Sequence, residues 1–207
     1  MSQDELFDIF NEQMERIGTD TRRNVHAKGL WHQTFHCWIV NKTPGGEERV
    51  LLQLRHKDKD THPNSLDISC AGHLQAGETA LDGLRELEEE LGLTVQADEL
   101  VYCGRIAEEH YLATGLIDRE FHHVFVYACD KTLDEYEIQL SEISGLFFVY
   151  TSDLKQLLNG ERAFIQAEGI VVDEETQGRK RESREIGLQH IVPRSEVYCK
   201  LLFEHIG

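Results

Sequence analysis

Residues 71–93, AGHLQAGETALDGLRELEEELGL, constrain the chain more than any other stretch. A glycine-containing turn runs straight into a periodic segment. Ala80, Leu84, Leu87 and Leu91 recur at the spacing of a single buried helical stripe. Glu86, Glu89 and Glu90 stand at i, i+3, i+4 and share another face, which Asp82 joins one turn earlier. Like charges at that spacing destabilise an isolated helix by about 0.2–0.5 kcal/mol per pair. A divalent cation with oxygen ligands reverses the sign. Thr79 to Asp82 fits a capping box with Thr79 as N-cap, and Gly92 suits a left-handed C-terminal cap. The spacing therefore predicts a helix of about three turns, held in a core on one side and gathering carboxylates on the other.

The stretch resembles the Nudix box, G-x5-E-x7-R-E-U-x-E-E-x-G-U with U aliphatic. Gly72 and Glu78 match its first half; Arg85, Glu86, Leu87, Glu89, Glu90, Gly92 and Leu93 match its second. Six residues separate Glu78 from Arg85, where the pattern has seven. A deletion inside the helix would rotate its two halves by about 100°. Absorbed at the loop–helix junction, it leaves the glutamate face intact.

Composition bounds the alternatives. The chain has 207 residues, enough for one sizeable core with extensions. We expect one domain over 1–207, with a core at about 25–160, an N-terminal helix in 1–24 and a C-terminal extension from 161. The formal charge of −17 argues against an extended nucleic-acid surface, yet leaves room for a small phosphorylated substrate. No apolar run is long enough to span a bilayer, and the N-terminus lacks the pattern of a signal peptide. Cys37, Cys70, Cys103, Cys129 and Cys199 are spread out with no C-x-x-C, as expected in a reducing cytoplasm.

Along the chain, residues 3–17 read as an amphipathic helix through Leu6, Phe7, Ile9, Phe10, Met14 and Ile17, with Gly18 to Asn24 as its exit. Gly29–Asn41 and Glu48–Arg55 read as a hairpin about Thr43-Pro-Gly-Gly46. His56–Asp67 is a polar loop. Glu99–Ile106, Glu120–Cys129 and Leu146–Tyr150 read as strands, and Glu108–Arg119 as a loop containing Gly115. Ser152 caps a helix to Leu158, with Gly160 ending it. Residues 169–187 read as a mobile loop bearing Arg179, Lys180, Arg181 and Arg184. Pro193 suits the first position of a C-terminal helix through Val197, Leu201, Leu202 and Ile206. Both terminal helices could serve a homodimer. The element order predicts an α/β sandwich with a mixed sheet, which the Nudix resemblance also implies.

Other residues narrow the resemblance. His32, Phe35, Trp38 and Asn41 look like the first strand of type I isopentenyl-diphosphate isomerases. Arg55, Lys59, Pro63, Asp67 and the Gly72-His73 pair look like the isomerase-related Nudix hydrolases.

The resemblance implies Mg²⁺, or Mn²⁺, held by Glu86, Glu89 and Glu90 with a backbone carbonyl at Ala71 or Gly72. It makes Arg85 the residue that orients those glutamates. Glu120 matches an acidic residue that serves as metal ligand or base, with Asp118 a weaker companion. Arg55, Lys57, Lys59, His32 and His73 are candidate contacts to a diphosphate substrate. His32 and His73 also match metal-binding histidines of the isomerases, and His32 is equally an ordinary strand histidine. The isomerase reading wants a cysteine directly before Gly-His, where this chain has Ala71; Cys70 lies one residue too early, on the opposite strand face. Hydrolysis of an organic diphosphate is the preferred expectation, ahead of isomerisation and of a binding module without turnover.

Overall fold

The computed structural model describes residues 4–111 and 117–207. The chain opens with a hairpin where apolar spacing predicts a helix. Strands β1 (Leu6–Phe10) and β2 (Arg16–Thr21) pair antiparallel. Asn11 reverses the chain between them: its Oδ1 accepts from the backbone N–H of Gln13 at 3.1 Å and of Glu15 at 2.8 Å. Met14 takes φ +63°, a left-handed conformation that ends any helix. The Gly18–Asn24 stretch read as an exit is divided between the end of β2 and the start of α1 (Arg22–Lys28), which Thr21 caps and Gly29 closes.

Then follow β3 (Trp31–Lys42), β4 (Glu48–Arg55), β5 (Leu66–Asp67) and β6 (Cys70–His73). Helix α2 (Leu84–Leu91) precedes β7 (Leu100–Tyr111) and β8 (Ile117–Ala128). The segment read as a loop at 108–119 is thus largely the facing ends of two strands; Gly115 lies outside the described residues. Strand β9 (Ile143–Tyr150) leads into α3 (Thr151–Leu158), whose N-cap is Tyr150 and not Ser152.

The expected mobile loop is a second hairpin, β10 (Ile165–Val172) and β11 (Arg179–Ile186). Asp173 builds its turn by accepting from Thr176 N–H at 2.8 Å and Glu175 N–H at 3.1 Å. Strand β11 is the outermost of its sheet and carries exposed charge along its length, as edge strands do. That polarity hid it in the sequence. Its Arg179 donates to the carbonyls of Asp134 and Tyr136, so part of the basic cluster ties two segments together. Helix α4 (Glu196–Phe203) closes the chain; Ser195 is its N-cap, and Pro193 lies two residues before that cap.

All strands join one mixed sheet, organised on β3. Strand β8 runs parallel to β3 from Trp31↔Arg119 to Val40↔Ala128. On the other side β3 pairs with β6 through Thr34↔His73 to Cys37↔Cys70, and with β4 near its end. Side chains alternate across this sheet. Phe35, Cys37 and Ile39 join Phe125 and Phe148 under Leu87 and Leu91 of α2. Trp38 and Val40 join Val124 and Val126 under Leu154 and Leu157 of α3 and Tyr198 and Leu202 of α4. The result is the expected α/β/α sandwich, with helices on both faces of the sheet. Among the described residues, no helix is long and apolar enough to cross a membrane.

Candidate active site

Helix α2 is shorter than its sequence suggests. Thr79 to Gly83 form turns: Asp82 N–H reaches Thr79 O at 3.0 Å, and Asp82 Oδ2 accepts from Thr79 N–H at 2.7 Å. Asp82 therefore sits in the approach to the helix and does not extend the glutamate face. The residue missing from the Nudix spacing falls in this turn, outside the helical register. Arg85 still reaches Glu78, with Nε to Oε1 at 2.9 Å.

Arg85 is the hub of the local network. It also donates to Glu86 Oε1 at 2.6 Å, Glu89 Oε2 at 3.5 Å and the His73 carbonyl at 3.0 Å. Its guanidinium is thus spent on the chain's own carboxylates. Glu86 is buried against Gly72; a Cβ there would lie 2.0 Å from Glu86 Cδ. Only glycine allows this approach of strand backbone to carboxylate. Glu90 is buried too, and its Oε2 has no hydrogen-bond partner. Burial raises the Glu86 carboxyl to about 7, Arg85 opposing. Burial and the neighbouring Glu86 raise Glu90 to about 8. Glu89 is half-exposed at the helix surface. A hard divalent cation fits this all-oxygen donor set with an orphaned buried oxygen and a glycine cradle.

Glu120 does not join these carboxylates. It stands on β8 among the even-numbered residues, which face α4, with His32 on β3. There the structure assembles a second group. Glu120 Oε1 lies 3.5 Å from His32 Nε2 and 3.3 Å from His73 Nε2. Asp118 Oδ1 lies 3.8 Å from His32 Nε2 and 3.7 Å from His26 Nε2. The ligand atoms of His26, His32 and His73 fall within 4.8 Å of one another, as do those of His32, Asp118 and Glu120. Phe7 of the N-terminal hairpin stacks on both His32 and His73, at ring-centroid distances of 5.5 and 4.9 Å.

Polar partners set the ring orientations. His26 Nδ1 meets the Arg22 carbonyl at 2.8 Å and His32 Nδ1 the Leu30 carbonyl at 3.0 Å. Both rings therefore carry a proton on Nδ1 and turn Nε2 toward the cluster. His73 differs, because Arg22 donates to its Nδ1 at 3.0 Å. Its neutral ring then holds the proton on Nε2, facing Glu120. Burial disfavours charge on Glu120, but His32 and His73 outweigh it and hold the carboxyl well below its ordinary value. Burial and Glu120 raise Asp118 to about 7.

The substrate contacts expected from sequence are otherwise engaged. Arg55 donates to Asp67 Oδ2 at 2.9 Å and to the Thr61 carbonyl at 2.9 Å. Lys59 is paired with Glu142, and Lys57 with Glu174 at 2.8 Å. His32 and His73 turn buried Nε2 atoms to Glu120, so neither offers an open phosphate contact. His26 was missed: it lies in α1 just past the Gly18–Asn24 stretch read as an exit, in a short segment assigned to no element.

A model of the NUDIX domain matches residues 30–167. The chain belongs to the Nudix family. This Nudix chain is 38% identical to an uncharacterised Nudix hydrolase of Clostridium acetobutylicum, over 97% of its own length and 96% of the relative's. An isopentenyl-diphosphate isomerase of Aliivibrio fischeri is 32% identical over 57% of this chain and 66% of that protein. Among solved structures, a Deinococcus radiodurans protein superposes with a TM-score of 0.55 at 23% identity, covering 75% of this chain and 90% of that one. The family assignment makes the chain a hydrolase of phosphorus anhydrides.

Proposed function

We propose that this Nudix hydrolase cleaves the diphosphate linkage of a nucleoside diphosphate or related organic diphosphate, with Mg²⁺ or Mn²⁺ held by Glu86, Glu89, Glu90 and the carbonyl of Ala71 or Gly72. The buried, unpartnered Glu90 Oε2 beside a Glu86 packed on Gly72 carries the reading. Carboxylates so placed call for a cation, and Arg85 alone does not reach Glu90. Such an ion, when bound, neutralises phosphate oxygens and lowers the pKa of attacking water. Arg85 holds Glu86 and Glu89 in place from outside. The substrate is a small molecule, consistent with the charge of −17, which disfavours a nucleic-acid partner. A cytoplasmic location is supported by five cysteines, none in a disulfide. Of the two terminal helices expected to serve a homodimer, only α4 forms, and it packs inward through Tyr198 and Leu202.

Phosphate or nucleotide release from a panel of organic diphosphates, with Mg²⁺ or Mn²⁺, tests the proposal. Glu89→Gln and Glu90→Gln should each lower turnover by at least about 10²-fold, the scale of one lost electrostatic stabiliser of a transition state. Their circular dichroism should match the wild type. Unchanged turnover in both would overturn the assignment.

The cluster of His26, His32, His73, Asp118 and Glu120 favours a second reading, an isomerase-like enzyme. Against it, Ala71 stands where that chemistry needs a thiol, and Cys70 is buried in the core on the α2 face. Burial raises the Cys70 thiol well above its ordinary value. Isomerisation of isopentenyl diphosphate without phosphate release would establish this alternative.

A further inference from the structure

A third group of ligand atoms lies beyond the two just described. Glu108 and His110 on β7 meet His122 on β8, and their ligand atoms all fall within 4.8 Å of one another. Glu108 Oε2 is 3.3 Å from His122 Nε2 and 3.4 Å from His110 Nε2. Those two edges match the ligand–ligand distance of about 3.3 Å in a tetrahedron with metal bonds of about 2.0–2.1 Å. His122 is fully buried and Glu108 is 5% exposed. Neither His122 Nε2 nor Glu108 Oε2 makes a hydrogen bond.

Each of these two side chains is oriented from behind. Thr34 Oγ1 meets His122 Nδ1 at 2.7 Å, and the Ser195 N–H donates to Glu108 Oε1 at 2.9 Å. Where Nδ1–H donates to Thr34, Nε2 turns a lone pair toward a carboxylate oxygen. Two lone pairs at that range repel unless a proton or a cation lies between them. We propose that Glu108, His110 and His122 form a binding site for a transition-metal cation of the zinc type, separate from the helix glutamates and from the Glu120 cluster. A donor set of two imidazoles and one carboxylate suits such an ion and not Mg²⁺, which prefers oxygen.

The surroundings carry charge of both signs. Arg194 Nη1 approaches Glu108 Oε2 to 3.9 Å, but its Nη2 is committed to Asp67 Oδ1 at 2.7 Å. His36 stacks on His122 at 4.1 Å, and burial holds its ring well below the ordinary histidine value, so it adds no charge. Glu120 Oε2, at 3.8 Å from His122 Nδ1, adds negative potential on the far side of the ring. His110 is partly exposed. The ion would clip β7 to β8 and, through Glu108 and Ser195, to the start of α4.

The full chain, stripped of metal by a chelator, would be titrated with Zn²⁺ by calorimetry and with Co²⁺ by visible absorption. His110→Asn and Glu108→Gln should each bind one equivalent fewer than the wild type, or bind it with a loss beyond the roughly 10–100-fold that outer partners contribute. His26→Asn should retain that equivalent. Wild-type stoichiometry and Co²⁺ spectrum in both His110→Asn and Glu108→Gln would show that protons alone join the three groups, and would overturn the proposal. Because His110 is partly exposed, its variant keeps the test decisive if the Glu108 variant misfolds. The inference is independent of the helix glutamates, whose failure in the turnover assay would leave it standing.

Discussion

Glu86 and Glu90 are the residues where burial and charge conflict most directly. Their folded values of about 7 and about 8 lie above the ordinary 4.5, so the folded state favours their protonated forms. The stability they contribute without metal is complete below about pH 4.5 and is lost as pH rises through about 7–8. A cation competes with those protons and favours the ionised forms. Melting curves with and without Mg²⁺ should therefore show little stabilisation near about pH 6 and a growing one toward about pH 8.5. Glu90→Gln should remove most of that growth; an Mg²⁺ effect independent of pH would contradict the account. The box residues were legible because helical periodicity and glycine placement are local properties. The role of Glu120 was legible only as a type of residue. Which carboxylates share its site depends on strand parity and on the parallel register of β3 with β8, separated by some ninety positions in sequence.

Short elements here depend on their ends. Helix α2 has eight residues, and an isolated helix of that length does not persist in water. Its C-terminus is closed by Gly92 at φ +66°, with Gly92 N–H on Glu88 O and Leu93 N–H on Leu87 O, both at 3.0 Å. A Cβ at 92 would also lie 2.6 Å from Glu137 Cβ. Gly92→Ala should cost about 1–2 kcal/mol in urea unfolding, the scale of a left-handed non-glycine residue, and more if the Glu137 segment cannot yield. This cap was legible in the sequence, as were β3, β4 and α4, because their signals lie within a few residues. The N-terminal hairpin was not. Leu6, Phe7, Ile9 and Phe10 suit one helical face as well as a strand. The choice is made by the Asn11 turn and by Phe7 packing on histidines from β3 and β6. Strand β11 was hidden by its charges, and its partner β10 by the polar turn between them.

At the scale of the molecule, the two faces of one sheet carry different chemistry, oxygen donors under α2 and histidines with carboxylates toward α4. Strand β6 serves both in four residues: Gly72 receives Glu86, while His73 points to Glu120 on the other side. Point substitutions can therefore alter one face and spare the other, whereas a change in chain length within β6 cannot. Inserting one alanine between Gly72 and His73 should abolish Mg²⁺-dependent turnover and also take His73 away from Glu120, so that its ring titrates nearer the ordinary histidine value. The same insertion in the turn between Thr79 and Gly83 should leave the contact of His73 with Glu120 intact. Comparing the NMR titration of His73 and turnover in the two insertions checks this. Chain length can therefore change in the approach to the helix, where this chain is one residue short of the Nudix pattern, whereas the four-residue strand tolerates no change in count and, at Gly72 and His73, none in composition.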